Sequence, residues 1–462
     1  MISSRRNLAG RLLLLVLVFS CFQNAHALPA FARKYGLRCS ACHESWPMLN
    51  YFGQKFKDNG YQLMNDRDAP IWQNPSYWPV TFRITPIWHR VSNNRVLEDV
   101  VATNTPGSAT TERRLESSGF DLSGLDFHTG GTLEKNISFY VLPSSDNTAS
   151  FHFETVMGRL DNLFGSPWLN VKFGKFELDN LLSEKRILTL TSIGGIYHTY
   201  HFTPVGDGNF FGQIGDNQLG VEVMGHSAND RTRYSAALLS SVDGQVGLPY
   251  GSNAYSGFFT ASQAFDTGKL GVQRIGVYAM VGEAPVTFQT IGGVPIPGSG
   301  IGNKGFHREG FVGQFYFGPH FDLQVVTQHG WDNAWFGQGY GGGAPFNAVP
   351  GTTLPVGAQA PSWNGALFEA HYVYSPQLIF IGRFELERVS QQPNGSASAT
   401  PSPSNLGNLT TYTIGYRYNP FMTSRAGFAW HNEYAFLHQD LTSNFGNNVN
   451  SSELLIGFDF DF

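Results

Sequence analysis

Charge is scarce in this sequence. Asp, Glu, Lys and Arg make up 14% of 462 residues, where about 25% is usual for soluble domains. Lys and Arg number 30 against 35 Asp and Glu, a formal net charge of −5, so no basic surface is on offer to nucleic acid. No run of eighteen apolar residues occurs, which excludes a transmembrane helix. Cysteine is limited to three residues. Aromatics, in contrast, reach 14%, with 38 Phe, 19 Tyr and 9 Trp, and there are 53 glycines. Few charges combined with many aromatics and glycines exclude a disordered chain and fit poorly with a soluble α/β enzyme. The length alone would suggest three ordinary domains, but this composition points to one large β protein, soluble or in an outer membrane.

The first 27 residues read as a cleaved secretory signal. Arg5, Arg6 and Arg11 form the positive region, Leu12 to Phe22 the apolar stretch, and Ala25-His26-Ala27 the small-x-small cleavage site. Eleven apolar residues are too few to span a bilayer. A twin-arginine signal at Ser4-Arg5-Arg6 and a lipoprotein cysteine at Cys21 are the weaker alternatives.

The two remaining cysteines stand in Cys39-Ser40-Ala41-Cys42-His43, the attachment pattern of c-type haem. Two thiols three residues apart on one helical turn add to the two vinyl groups, and the following histidine faces the iron. A zinc site would need about four ligands, and no second cysteine pair exists. A disulfide across two residues would staple almost nothing, and a redox CxxC belongs in a βαβ setting that is missing here. The expectation is one covalently bound haem c on Cys39 and Cys42, with His43 as the proximal axial ligand. A helix should follow, with Ser45 as N-cap, Pro47 near its first position, Leu49, Phe52 and Phe56 as its apolar stripe, and Gly60 at its end. Residues 28–75 are few for an independent domain and need a partner.

From Trp78 onward, stretches of about ten residues alternate between apolar and polar, as membrane β-strands do. Thr410, Tyr412, Ile414, Tyr416 and Tyr418 interleave with Thr411, Thr413, Gly415 and Arg417. Sixteen strands are expected near 79–90, 119–130, 135–142, 150–158, 168–176, 217–226, 231–241, 257–266, 271–281, 309–318, 320–330, 365–375, 377–388, 409–418, 424–437 and 452–462. Connections after even-numbered strands are mostly short, those after odd-numbered strands mostly long, which is the asymmetry of an outer-membrane barrel with periplasmic turns. A soluble sandwich or propeller has no reason to alternate in this way. The terminal Phe462 after alternating aromatics looks like an outer-membrane insertion signal, and Trp78, Trp88, Trp168, Tyr418, Phe421 and Tyr434 suit interfacial girdles.

Sixteen strands about 4.8 Å apart and tilted ~40° enclose a backbone diameter of roughly 32 Å. A globule of that N-terminal length is roughly 25 Å across, so it can plug the lumen. By alternation Arg83, Arg274, Arg383, Glu385, Arg417, Glu369, His371, His431 and Glu433 face inward, as a plug contact or as ordinary pore lining.

Leu28-Pro-Ala-Phe-Ala-Arg-Lys-Tyr-Gly through Cys39-Ser-Ala-Cys-His43, then Trp46-Pro47, Phe52-Gly53 and Asn59-Gly60-Tyr61, resemble the fused monohaem cytochrome–porins of bacterial outer membranes. The best-known members of that family oxidise iron(II). Specific motif identity lies in the first forty mature residues, and the rest matches by layout. The resemblance implies a signal peptide (1–27), a small α-helical monohaem cytochrome c domain (28–75) and an all-β, about 16-stranded antiparallel outer-membrane β-barrel (76–462). It also implies covalent haem on Cys39 and Cys42 with His43 proximal.

The expected function is electron transfer, in the manner of an iron(II) oxidase. Single electrons would pass from extracellular Fe(II) or another donor, through the barrel, to a periplasmic cytochrome. An apolar band about 25 Å tall is too thick for efficient direct tunnelling, and one haem in the lumen divides it. The protein would sit in outer-membrane lipid of a Gram-negative bacterium with both termini periplasmic. Met64 or Met48 is the candidate distal ligand, with a lumen histidine or an open position as alternatives, and Met there would raise the potential relative to a second His. His198 and His201 in the longest loop are candidates for meeting incoming iron. A passive porin with a structural or sensory haem is the alternative function, and a haem peroxidase, which needs an open sixth position, a third.

Overall fold

The structure, a computed structural model, describes residues 30–45, 48–64, 68–72, 79–99, 110–145, 150–178, 191, 217–240, 254–286, 290–291, 294–295, 302–333, 360, 362–389, 408–423, 426–440 and 448–461. The expected signal segment (1–27), with Cys21, and Trp46, Pro47, Trp78, His198, His201 and Phe462 lie outside the described residues.

Sixteen antiparallel strands close into a barrel. The order along the chain is β3 (Val80–Asp99), β4 (Thr110–Glu134), β5 (Ile137–Ser145), β6 (Phe151–Leu160), β7 (Asn170–Glu177), β8 (Asn217–His226), β9 (Thr232–Ser240) and β10 (Tyr255–Asp266). It continues with β11 (Val272–Val286), β14 (Gly302–Tyr316), β15 (Phe321–Asp332), β16 (Ser362–Ser375), β17 (Leu378–Val389), β18 (Asn408–Met422), β19 (Gly427–Asp440) and β20 (Val449–Asp461). The short strands β1 (His43–Ser45) and β2 (Met48–Leu49) pair ahead of the barrel, and β12 (Thr290–Ile291) pairs with β13 (Val294–Pro295) in the connection after β11. Each sequence-expected strand has its counterpart. Closure comes from β20 against β3, with Ser451 opposite Asn93 and Asp461 opposite Arg83. Closure leaves the barrel without an edge strand.

Strands often run further at the long-loop end than apolar alternation suggests. Pairing of β3 with β4 continues to Asp99 opposite Thr110, well past the expected 79–90 and 119–130. A hairpin needs an apolar outward face only where it meets lipid, while backbone pairing can continue beyond. Connections at one end are short, such as 135–136, 227–231, 317–320 and 376–377, and at the other mostly long, such as 178–216 and 333–361.

Alternation sorts the two faces. Val221, Leu238, Phe259, Val277, Tyr412 and Ile414 point outward and are exposed, Ile414 at 66%. A soluble monomer rarely exposes a continuous apolar surface of this kind, so the barrel fits an outer-membrane protein. Trp168, Tyr418, Phe421 and Tyr434 are also exposed, as an interfacial girdle requires. Arg274, Arg383, Glu385, Arg417, Glu369, His371, His431 and Glu433 are all buried on the inner face. Arg308 pairs with Asp332 at 2.8 Å, Arg383 with Glu369 at 2.6 Å and Arg417 with Asp459 at 3.2 Å. The lumen is therefore charged yet closely compensated.

The N-terminal segment lies inside this wall. It contains α1 (Ala30–Tyr35), the single turn α2 (Cys39–Cys42) and α3 (Tyr51–Asp58). Its contacts go round the barrel. Ala30 N–H donates to Thr81 on β3, Lys34 to Thr132 on β4, and Arg159 on β6 donates to the Lys57 carbonyl. Asp58 pairs with Arg233 on β9, Met48 receives Gln324 of β15, and Asn419 of β18 donates to Ser45. Only a plug can touch so many strands of a closed barrel. An apolar cluster joins the two parts, with Tyr35, Phe56 and Tyr61 from the plug and Met157, Phe176, Phe258 and Tyr278 from the wall.

One element differs from the sequence reading. The helix expected to begin near Ser45 and Pro47 begins at Tyr51. Asn50 is its N-cap, its side-chain oxygen accepting from Gly53 N–H at 2.9 Å. Ser45 instead belongs to β1, and Met48 and Leu49 to β2. The pairing of β1 with β2 satisfies backbone groups that a longer helix would have used. Gly60 does follow the helix end, at φ +69°, where a Cβ would also collide with the Asp161 carboxylate.

Candidate functional site

The two cysteines occupy a single helical turn. Arg38 is extended ahead of it and His43 leaves it extended, so His43 projects at the end of α2. Three contacts fix that turn. Cys39 N–H donates to the Thr423 carbonyl at 3.2 Å, beside the end of β18. The Cys39 thiol donates to the same carbonyl at 3.0 Å. Asn50 N–H donates to the Cys42 carbonyl at 2.9 Å. Gly53 then allows α3 to lie directly on the turn, since a Cβ there would come within 2.2 Å of the Cys42 carbonyl oxygen.

Cys39, Cys42 and His43 together line one cavity between plug and wall, open at its mouth. The plug side adds Ala30, Phe31, Leu49, Phe56 and Tyr61. Phe31 stacks on Tyr61 with centroids 4.7 Å apart and meets Phe56 edge-on at 5.4 Å. The wall side adds His128, Gly130, Tyr140, Thr155, Met157 and Met224. Arg38, Lys57, Arg83, Arg159 and Lys172 also line it. Lys57 meets Glu177 at 3.6 Å, Arg159 meets Asp161 at 2.7 Å, and Arg83 and Lys172 pair with Asp126 and Glu222. Arg38 is solvent-exposed.

Both thiols are free. Burial pushes the Cys42 thiol up to about 11 and the Cys39 thiol up to about 12, with the Asp461 carboxylate adding to the latter. Protonated thiols are poor metal ligands and poor exchange nucleophiles. Among the described residues no group of three or more His, Cys, Asp or Glu is arranged to hold a metal ion. The cavity offers a largely apolar lining, two free thiols and the imidazole of His43, with cations among its lining. These residues fit a haem.

The distal candidates are placed apart from this cavity. Met48 is 1% exposed, packs with Ile379 and Ile381, and its sulfur receives Gln324 Nε2–H at 3.6 Å. It lines a second cavity, together with Glu44, Arg233, Arg274, Tyr316 and Gln324. Met64 is 53% exposed, at φ +61°, and its sulfur meets Asn162 Nδ2–H at 3.8 Å. Tyr140, Met157 and Met224, which do reach the cysteine-lined cavity, look in sequence like any other inward-facing strand residues. Only the placement of the plug against β4 to β8 marks them.

No family model matches the sequence, and no curated protein does. Among solved structures the chain is similar to the anion-selective porin from Comamonas acidovorans, at 11% identity and TM-score 0.48, covering 83% of this chain and 98% of that one. It is also similar to Pseudomonas putida OprB, at 11% identity and TM-score 0.47, covering 91% of this chain and 99% of that one. A third is the outer membrane channel DcaP of Acinetobacter baumannii, at 11% identity and TM-score 0.42, covering 83% and 97%. These are likenesses of overall fold.

Proposed function

We propose that this barrel carries one covalent haem c in its lumen and passes single electrons from an extracellular donor of the ferrous-iron class to a periplasmic cytochrome. One observation carries the reading. Cys39, Cys42 and His43 line a single, largely apolar cavity between plug and barrel wall. Bound there, haem supplies one-electron exchange between ferrous and ferric iron.

On this reading Cys39 and Cys42 hold the porphyrin by thioethers and His43 holds the iron from the plug side. Phe31, Phe56, Tyr61 and Tyr140 would exclude water from the group, and Arg38, exposed at the cavity margin, would be the cation offered to its carboxylates. The short-turn end, where the plug sits, faces the periplasm, because outer-membrane barrels keep short turns there. Both termini then lie on the periplasmic side, and the long loops meet the donor outside. Holding the group partway along the barrel shortens each transfer relative to the full apolar thickness of about 25 Å.

The test uses purified protein in liposomes that enclose an oxidised soluble cytochrome. External Fe(II) should reduce the enclosed cytochrome with the wild-type protein and should fail with the Cys39→Ser, Cys42→Ser double variant. Equal reduction by both proteins defeats the reading.

The second cavity favours another function, a passive porin with a structural or sensory haem, since it offers further space between plug and wall. Planar-bilayer recording separates the two. A plugged electron conduit stays nearly silent, whereas a porin conducts in steady open steps.

A further inference from the structure

We infer that the sixth position on the iron is filled from the barrel wall, by the thioether of Met157 on β6, and not by a residue of the N-terminal segment. The inference rests on the haem reading above. His43, Cys39 and Cys42 reach the cavity from the plug, and the remaining lining comes from the wall. Both methionines of the plug are absent from that lining. Met48 is packed under Gln324 against β17, and Met64 is turned out toward Asn162. A sixth ligand from the plug would require one of them to leave those contacts.

Among the wall residues that line the cavity, His128 offers an imidazole and Met157 and Met224 offer thioethers, while Lys172 is paired with Glu222, Glu177 meets Lys57 and the Tyr140 hydroxyl is engaged by His128. His128 is held by charged and polar neighbours. Its Nδ1 is 2.5 Å from the Tyr140 hydroxyl, and its Nε2 is 3.9 Å from Asp126, which pairs with Arg83. Met224 stands opposite Asn170 and Ser235 near the short-turn end of β8. Met157 is buried in the same apolar cluster as Phe56 and Tyr61, two other residues of the cavity lining. On the wall it lies opposite Tyr140 on one side and Gly174 on the other. Glycine at 174 leaves no side chain beside it on the inner face. Its thioether brings no desolvation penalty, and its three rotatable bonds let it adapt to the group it meets. The barrel is then part of the redox centre, and the plug alone makes an incomplete one.

The experiment begins with the full-length protein folded in detergent and stained for covalent haem. If the wild type is colourless, the haem reading itself has failed. With haem present, the optical spectrum, carbon monoxide binding by the reduced form and the reduction potential are compared across single variants. The expected wild type is six-coordinate and binds no carbon monoxide. Met157→Leu, close in volume and compatible with barrel folding, should open the iron and gain carbon monoxide binding. Met157→His should remain six-coordinate with a lower potential, since Met ligation raises the potential relative to His. Opening of the iron by Met48→Leu, Met64→Leu, Met224→Leu or His128→Leu instead overturns the assignment. So does a wild type that already binds carbon monoxide, or an unchanged spectrum and potential in both Met157 variants.

Discussion

A methyl group on Gly53 would put carbon 2.2 Å from the Cys42 carbonyl oxygen, and that atom is backbone and cannot swing aside. Gly53→Ala should therefore lift α3 off the cysteine turn at a cost of about 1–3 kcal/mol. Hydrogen exchange of residues 51–58 should accelerate while the strands keep their protection. Arg159 is a second single-residue hinge of the assembly. Its guanidinium donates to the Lys57 and Asp58 carbonyls at 2.8 and 3.0 Å, and it pairs with buried Asp161. It thus places a cation at the C-terminal end of α3, the favourable end of the helix dipole. Arg159→Met leaves the Asp161 carboxylate short of its cation and removes the guanidinium from the Lys57 and Asp58 carbonyls. The expected loss is about 3–5 kcal/mol in plug docking, read as earlier proteolysis of the N-terminal segment in denaturant titrations. The cysteine motif was plain in the sequence because its spacing is local. Its wall-side neighbours were not, because Tyr140 and Met157 carry no local mark.

Among the elements, strand alternation was readable because each strand has one face to lipid and one to the lumen, and the two demand different residues. The helix start was misplaced because Ser45 and Pro47 mimic a capped start, while the working cap, Asn50, lies five residues later. The pairing of β1 with β2 overrides that local signal. In α1, Lys34 is partly buried against Thr132, and burial lowers its ammonium to about 8 despite Asp68 nearby. The unfolded lysine keeps its proton up to about 10.4. Between those values the unfolded segment binds more protons, so docking of α1 gains stability as pH rises from about 8. Protection of residues 30–35, corrected for intrinsic exchange, should rise over that window. Lys34→Met should flatten the trend, and a falling trend in the wild type would contradict the burial.

At the scale of the molecule, the plug and the apolar cluster make the lumen part of the folded core. Phe176, Leu239, Phe258 and Val312 are almost wholly buried on the inner face, although barrel interiors of open channels are polar. Replacing two of them together, as in Phe176→Ala with Phe258→Ala, removes apolar packing worth about 3–5 kcal/mol per site. The double variant should lower the thermal midpoint of the whole barrel and should raise single-channel conductance above the wild-type level. An unchanged midpoint would mean that the lumen contributes nothing to stability.

Cys39 is buried, its amide and thiol both held by the Thr423 carbonyl beside the hairpin that leads into β19, and the pairing of β20 with β3 closes the ring around it. That geometry sets a calendar for biogenesis. On the haem reading, the group would be fastened to Cys39 while the chain is still open, before the last hairpins zip shut. Polypeptide refolded without pigment and supplied with it afterwards should stay unstained, whereas chain pigmented first should fold coloured.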